Sequence, residues 1–487
     1  MKKYLGINLM AAPGTAQWSS RFAFTMAAVG SSVGLGNLWR FSSELGTNGG
    51  AAFLVVYVAC IFFIGIPVLM SEFIIGRAGQ SSSAVGSQND LAVRSGVTKT
   101  WAAGAWLGMT ASFLIVSFYC VVAAWVLNYL VRFLGNSFAG QSPEVISGKF
   151  ETMLGDPTQV LPYFFIFAGI TIWLVSRGVN KGIELAAKYL MPLFFVLLIG
   201  LAAYSVITGM ATGGTAKAVS FMFTPDFSKI TPAVATSALG QACFSIGIGN
   251  AIMITYGSYL PRNVSIPKAA VTISLVDTLV AITAGLAIFP IVFTHGLDSA
   301  GGAGLFFQTL PTALSEYWYI GAAFFFLAFF AAITSSVSLL EPSVAYVAEK
   351  FSMTKAKAAW ITGAAITVVG LGSLFSSDFF EFIDTGLAGP ILAPLSALLI
   401  VLFTGWRLSK VILSEELAGE GESLGRFVMF FVKWVAPLFM GVVLILGTWK
   451  EYDVWIKAQV NQNLVIFILL GIVILLLTKI LKVLETK

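Results

Sequence analysis

The run Ser32-Val33-Gly34-Leu35-Gly36-Asn37 returns almost letter for letter as Ser245-Ile246-Gly247-Ile248-Gly249-Asn250, each copy inside an apolar stretch long enough to cross a membrane. Two glycines so close together weaken a helix by roughly 1 kcal/mol each. Hydrocarbon offers freed backbone groups no water, so the chain can unwind there only around a polar guest. Paired, Gly-interrupted segments in two halves of a chain point to a substrate and ion site near the bilayer midplane of a transporter. Close helix packing through small residues is the competing reading.

With 57% hydrophobic and 10% charged residues and a mean hydropathy of +0.89, the chain carries more apolar surface than one soluble core can hide. Segments of the ~20 residues needed to span a bilayer fall at 22–41, 52–75, 104–133, 161–176, 187–209, 233–257, 269–294, 317–347, 358–375, 383–406, 428–448 and 462–480. The expectation is an all-α membrane protein of twelve transmembrane helices. If the spans alternate, Lys2, Lys3, Arg77, Arg94, Lys99, Arg177, Lys181, Arg262, Lys268, Lys350, Lys355, Arg407, Lys410 and Lys479 share one side, with both termini. The positive-inside bias makes that side cytoplasmic and the location the cell inner (plasma) membrane. It also accounts for the net charge of +5 without nucleic acid. No cleavable leader is expected, because Pro13 and Gly14 break the first apolar run. Cys60, Cys120 and Cys243 fall singly within spans, and His295 is alone in an outer loop, so neither disulfide, metal cluster nor enzyme chemistry is indicated.

The Gly-rich breaks lie in the first and sixth spans, which run in opposite directions. That parity predicts a 5+5 inverted repeat. Its parts are a cytoplasmic segment 1–18, a first repeat 19–210, a second repeat 211–406, and helices 11 and 12 with the tail at 407–487. The outer segments 135–160 and 295–315 read as polar and Gly-rich insertions, the latter able to dip toward a vestibule. The inner loop 407–426, with Glu415, Glu416, Glu420 and Glu422, reads as a solvated linker.

Trp18, Arg21, Gly30 through Phe41, Asn48-Gly49-Gly50, Gly65-Ile66-Pro67, Glu72 and Gly76-Arg77 together resemble the neurotransmitter:sodium symporter family. The match resumes in Gly240 through Tyr259, Asp277 through Pro290 and Ala331 through Pro342, and is similar in kind to the bacterial leucine transporter branch. The resemblance implies a sodium-coupled secondary active symporter working by alternating access, importing a neutral amino acid. A betaine-like osmolyte, an amine, or a sodium-dependent sensor role are the alternatives.

A zwitterion entering a low-dielectric pocket needs partners at both ends. Amides of Leu35 and Gly36, at the start of the outer half-helix, suit its carboxylate. Carbonyls around Ser31, Ser32, Phe244 and Ser245 suit the ammonium. The resemblance adds the Tyr119 hydroxyl at the carboxylate, and a side-chain pocket of Ile115, Phe244, Gly247, Asn250, Ser335 and Leu339. Asn250 stands where the family usually has an aromatic residue or Met, so its carboxamide admits a polar or larger side chain, or else bonds the helix break. Gly34 stands where monoamine carriers have Asp, which favours a substrate with its own carboxylate.

Two sodium sites are implied by the resemblance. Ser32, Asn37, Ser245 and Asp277 form the first, completed by the substrate carboxylate; Gly30, Val33, Ala331, Thr334 and Ser335 form the second. The Thr-Ser-Ser run can instead bond its own helix. An ionisable Asp277 within a span is a functional hypothesis in itself. Chloride-dependent relatives have Asn there and Ser four residues on; this chain has Asp277 and Ala281, so chloride should not be required. Arg40 with Asp384, or with Glu381, resembles an outer gate. Trp18, Tyr259 and Glu349 resemble an inner one, although Thr15 replaces the expected basic residue and Lys2 or Lys3 would have to substitute. Glu72 and Glu341 read as buried partners of backbone or basic groups.

Overall fold

The computed structural model describes residues 17–79, 81–297, 302–417 and 422–457. These are nearly all helical. Eight continuous helices are long and apolar enough to span a bilayer: Ala51–Ala78, Lys99–Leu134, Val179–Thr212, Ile266–Thr294, Trp318–Lys350, Lys355–Phe375, Ser377–Arg407 and Gly425–Leu446. The shorter apolar helix Leu161–Ser176 matches the fourth predicted span. The first and sixth spans are present as interrupted helices, Arg21–Ser32 followed by Gly36–Thr47, and Pro232–Ile246 followed by Ile252–Ser258. The twelfth span expected at 462–480, the basic residues at both termini and Thr15 lie outside the described residues.

Local chemistry explains where these helices begin. Ser20 and Thr231 accept hydrogen bonds from Ala23 N and Val234 N, capping the two interrupted helices at their starts. Proline occupies the first helical turn at Pro232 and Pro267, where its missing N–H leaves no bond unmade. Burial then sorts the helices into layers. Lys99–Leu134 and Trp318–Lys350 pack along each other at the centre, and the most apolar window of the first is 89% buried. In Val179–Thr212 and Gly425–Leu446 the corresponding shares are only 33% and 28%. Their outward faces carry Val196, Ile199, Ile207, Leu438 and Ile445, an apolar surface suited to lipid.

Small residues bring backbones together near the second break. A Cβ on Gly76 would collide with the Ile254 carbonyl and the Gly257 backbone, and one on Gly108 would meet the Gly249 oxygen at 2.8 Å. In the segment 302–314, Leu305, Phe306 and Phe307 turn inward. Phe307 stacks on Phe150 at 5.0 Å and meets Trp39, Trp125 and Tyr129 edge-on, so this insertion does dip into the bundle.

The 407–426 reading needs correction at Glu416. It is not a solvated linker residue: it is 4% exposed and clamped between Arg77, at 2.6 Å, and Arg262. Neither arginine is near it in sequence, so the charge pattern alone could not show the pairing.

Candidate substrate and ion site

The two breaks open differently. In the first, Val33 turns to an extended conformation (φ −78°, ψ 100°), and the chain resumes at Gly36–Arg40 as a wide π-helical turn. In the second, Gly247, Gly249 and Ala251 all have positive φ, at 72°, 77° and 57°. A non-glycine residue in that region is strained. Around it the backbone is held from outside: Glu72 Oε1 accepts from Gly249 N at 2.7 Å, and Ser112 Oγ donates to the Asn250 carbonyl. Glu72 is thus a buried partner of unwound backbone.

The breaks touch. Ser32 Oγ donates to the Ile246 carbonyl at 3.2 Å, and Gln241 Nε2 to the Gly36 carbonyl at 3.3 Å. Between them lies a buried cluster around Asp277. Asn37 Nδ2 donates to Asp277 Oδ1 at 2.8 Å and to Ser245 Oγ at 3.0 Å; Ser245 Oγ donates to Asp277 Oδ2 at 2.7 Å. Asn37 Oδ1 meanwhile accepts from Gly34 N at 3.0 Å. Three of the residues expected to hold the first sodium therefore converge, with Ser32 on the adjoining turn. Their donor set is carboxylate, amide, hydroxyl and carbonyl oxygen, the hard ligands that a hard cation accepts.

Tyr57, not foreseen from the sequence, joins this cluster. Its hydroxyl lies 3.2 Å from Ser245 Oγ and 3.3 Å from Asp277 Oδ2. It is the one polar side chain but Cys60 in the run Ala51–Gly65, and that isolation was the available signal.

Of the second expected ion site, Gly30 and Thr334 are brought side by side, while the Thr334 hydroxyl bonds its own helix. A Cβ on Gly30 would stand 3.3 Å from Thr334 Cβ, so the first helix and Trp318–Lys350 meet there. Thr334 Oγ1 bonds back to Phe330 O and Ala331 O, at 3.2 and 3.1 Å. Ser335 Oγ and the Tyr119 hydroxyl both press on Gly34, the latter 3.3 Å from where a Cβ would be. The Tyr119 hydroxyl accepts from Leu35 N at 3.3 Å, which places it at the half-helix start. Phe244 covers Gly36, and Ile115, Asn250 and Leu339 are buried, as are Val33 and Ala331; Ser31 is half-buried.

At one end of this path Arg40 lies over the Phe244 ring, 4.4 Å from its centroid. Its charge reaches Asp384, but the two form no direct ion pair, and Glu381 is exposed. At the other end Trp18 is 3% exposed, its Nε1 donating to Tyr256 O at 3.1 Å and its ring 6.2 Å from that of Tyr259. The Tyr259 hydroxyl donates to Glu341 Oε1 at 2.9 Å, and Lys355 forms an ion pair with the same oxygen. Lys355, read in the sequence only as part of the charge bias of one side, supplies a cation at this face. Ser82 ties in Glu349, its carbonyl accepting from Tyr259 and its hydroxyl donating to Glu349 at 2.8 Å. Ser19 and Asn180 hold a second buried acid, Glu184, beside the start of the first helix. The three cysteines are free, and among the described residues no cluster of His, Cys, Asp and Glu gathers as for a metal centre.

Comparison with known proteins agrees with this architecture. The sequence matches the "Sodium:neurotransmitter symporter family" over residues 15–145 and 149–486. The uncharacterized sodium-dependent transporter YhdH of Bacillus subtilis is 36% identical over 451 residues, covering 88% of this chain and 97% of its own. An uncharacterized sodium-dependent transporter of Haemophilus influenzae is 31% identical over 448 residues, with the same coverage. The crystal structure of MhsT in complex with L-phenylalanine superposes with a TM-score of 0.81 at 40% identity, covering 89% of this chain and all of that one. The broken helices, the oxygen-rich cluster between them and these matches together make the chain an integral membrane protein of the sodium:neurotransmitter symporter family, a sodium-dependent transporter and not an enzyme.

Proposed function

We propose that the chain is a secondary active symporter that carries a neutral amino acid with sodium, by alternating access and without chloride. One observation carries this reading: Asn37, Ser245 and Asp277 converge directly beside the Leu35 amide and Tyr119 hydroxyl that would receive a substrate carboxylate. A carboxylate bound there adds the last oxygen to the first ion site, so ion and substrate favour each other's binding, which is the coupling a symporter needs. Ser31 and Ser32 carbonyls, with those of Phe244 and Ser245, take the ammonium. The second ion site is Gly30, Val33, Ala331, Thr334 and Ser335.

Gly34 supports a substrate that brings its own carboxylate. A Cβ on Gly34 would collide with Ser335 Oγ and meet the Tyr119 hydroxyl at 3.3 Å, leaving no room for an acidic side chain. The neighbour MhsT was solved with an amino acid, L-phenylalanine, bound. Asp277 supports chloride independence: a fixed carboxylate with three donors on it already supplies the negative charge at this point. Trp18 and Lys355 then mark the cytoplasmic gate and Arg40 with Asp384 the outer one. Residues 19–210 and 211–406 are the two inverted repeats, in an inner membrane with both termini inside.

Purified protein in liposomes tests this, using a radiolabelled amino-acid panel with inward sodium or matched potassium as the only difference. Accumulation above equilibrium with sodium is expected. If no amino acid accumulates while a betaine does, the osmolyte reading replaces it; no accumulation at all refutes transport. Exchanging chloride for gluconate should leave the rate unchanged, and a loss restored by chloride would reject independence.

A further inference from the structure

Asn250 is fixed through its backbone but not through its side chain. Ser112 holds its carbonyl. The residue is 6% exposed, yet its Oδ1 has no hydrogen-bond partner among the described residues. The carboxamide therefore does not use its oxygen to bond the helix break. Nδ2 faces the space over Gly247, where a Cβ would meet nothing nearer than Nδ2 itself, at 3.9 Å. Buried polar groups in native structures are nearly always paired, and leaving one unpaired is unfavourable. With the carboxamide turned so that Oδ1 takes the place of Nδ2, the open shoulder at Gly247 gives the missing donor a place.

The helix Lys99–Leu134 sets the distance to that partner. Tyr119 marks the carboxylate end of the proposed site, and Ile115 and Ser112 follow on the same helical face toward Asn250. At 1.5 Å per residue, Tyr119 to Ser112 is about 10 Å. A short side chain leaves the far end unfilled. The expected lining, Ile115, Phe244 and Leu339, offers no charge to balance an ionised tip.

We propose that Asn250 makes this transporter select long neutral amino acids whose side chain ends in a hydrogen-bond donor: a phenol, an indole N–H or a carboxamide. The inference rests on the symporter reading above. A carboxamide presents both donors and an acceptor, so a hydroxyl or amide tip is matched by turning the Asn250 amide. A site with a buried polar group discriminates against a substrate that cannot pair with it much more strongly than an apolar pocket discriminates by size.

The test uses pairs of similar length in the full-length protein in liposomes: tyrosine against phenylalanine, and glutamine against methionine. Sodium-driven uptake should favour the donor-bearing member by about tenfold or more in kcat/KM. In Asn250→Leu the ratio should fall to about one or invert. Because each ratio is read within one protein, expression level does not enter, and the wild-type ratios decide the matter even if the variant fails to fold. Wild-type ratios near one, or ratios that survive Asn250→Leu, overturn the inference while leaving the symporter standing. Absence of sodium-driven accumulation for every member overturns both.

Discussion

At the scale of single residues, the Asp277 cluster is a set of charge-assisted hydrogen bonds in a buried site, where each donor counts for more than it would in water. Tyr57→Phe removes one donor while keeping the ring, which stacks on Phe53 with planes 11° apart. A hydrogen bond of about 1 kcal/mol corresponds to roughly a fivefold rise in the sodium concentration giving half-maximal uptake. A sodium titration of uptake checks this, and an unchanged midpoint would separate Tyr57 from the ion site. Gly34→Ala acts on the substrate side. Its methyl would be forced between Ser335 Oγ and the Tyr119 hydroxyl. Overpacking of about 1–3 kcal/mol there should lower the thermal midpoint and, where it is relieved by pushing the Tyr119 hydroxyl aside, weaken substrate affinity by about fivefold or more; thermal unfolding and equilibrium binding of the best substrate measure the two.

At the scale of elements, the two glycines of the second break have different jobs, which gives a graded prediction. Both have positive φ, so alanine at either carries about 1–2 kcal/mol of backbone strain. At Gly247 that is the whole cost, since the space beside it is open. At Gly249 the added Cβ also collides with the Ala393 carbonyl. Gly249→Ala should therefore lower the unfolding temperature in detergent distinctly more than Gly247→Ala, and equal shifts would mean that the break is looser than the packing indicates. These glycines also show what the sequence could disclose. The breaks, Asp277 and the Thr334-Ser335 pair were legible because each violates a local rule: glycines inside a span, an acid in hydrocarbon, hydroxyls on an apolar helix. The spans within the described residues were legible from hydropathy. Lys355 and Glu416 were not, because nothing is unusual about a lysine at a helix start or a glutamate in a loop, and Tyr57 offered no more than its isolation in an apolar run. Arg77 and Glu416 stand 339 positions apart, and only the folded bundle makes them a pair.

At the scale of the whole molecule, the arrangement is shut at the face bearing Trp18. There Trp18 seals against Tyr256 and Tyr259, and Glu341 is fully buried under the Tyr259 hydroxyl and the Lys355 ammonium. The seal joins the start of the first helix, through Tyr256 and Tyr259, to the helices Trp318–Lys350 and Lys355–Phe375, so on the proposed cycle it has to break for this face to open. Removing one partner of a buried pair leaves an uncompensated charge. Lys355 retains 23% side-chain exposure, which lets water screen part of the interaction and reduces the cost of its loss to about 1–2 kcal/mol. On the proposed alternating-access cycle, Lys355→Ala should thus shift the equilibrium toward opening at this face by about tenfold, whereas Lys355→Arg, keeping the charge, should not. A reporter cysteine at Ala187, buried beside Ala27 and Thr334 around a small cavity of about 10 Å³, reads this out once the three native cysteines are replaced. In Lys355→Ala it should react with a thiol reagent about ten times faster than in the parent. Equal rates in both would mean that the aromatic seal closes this face without help from the ion pair.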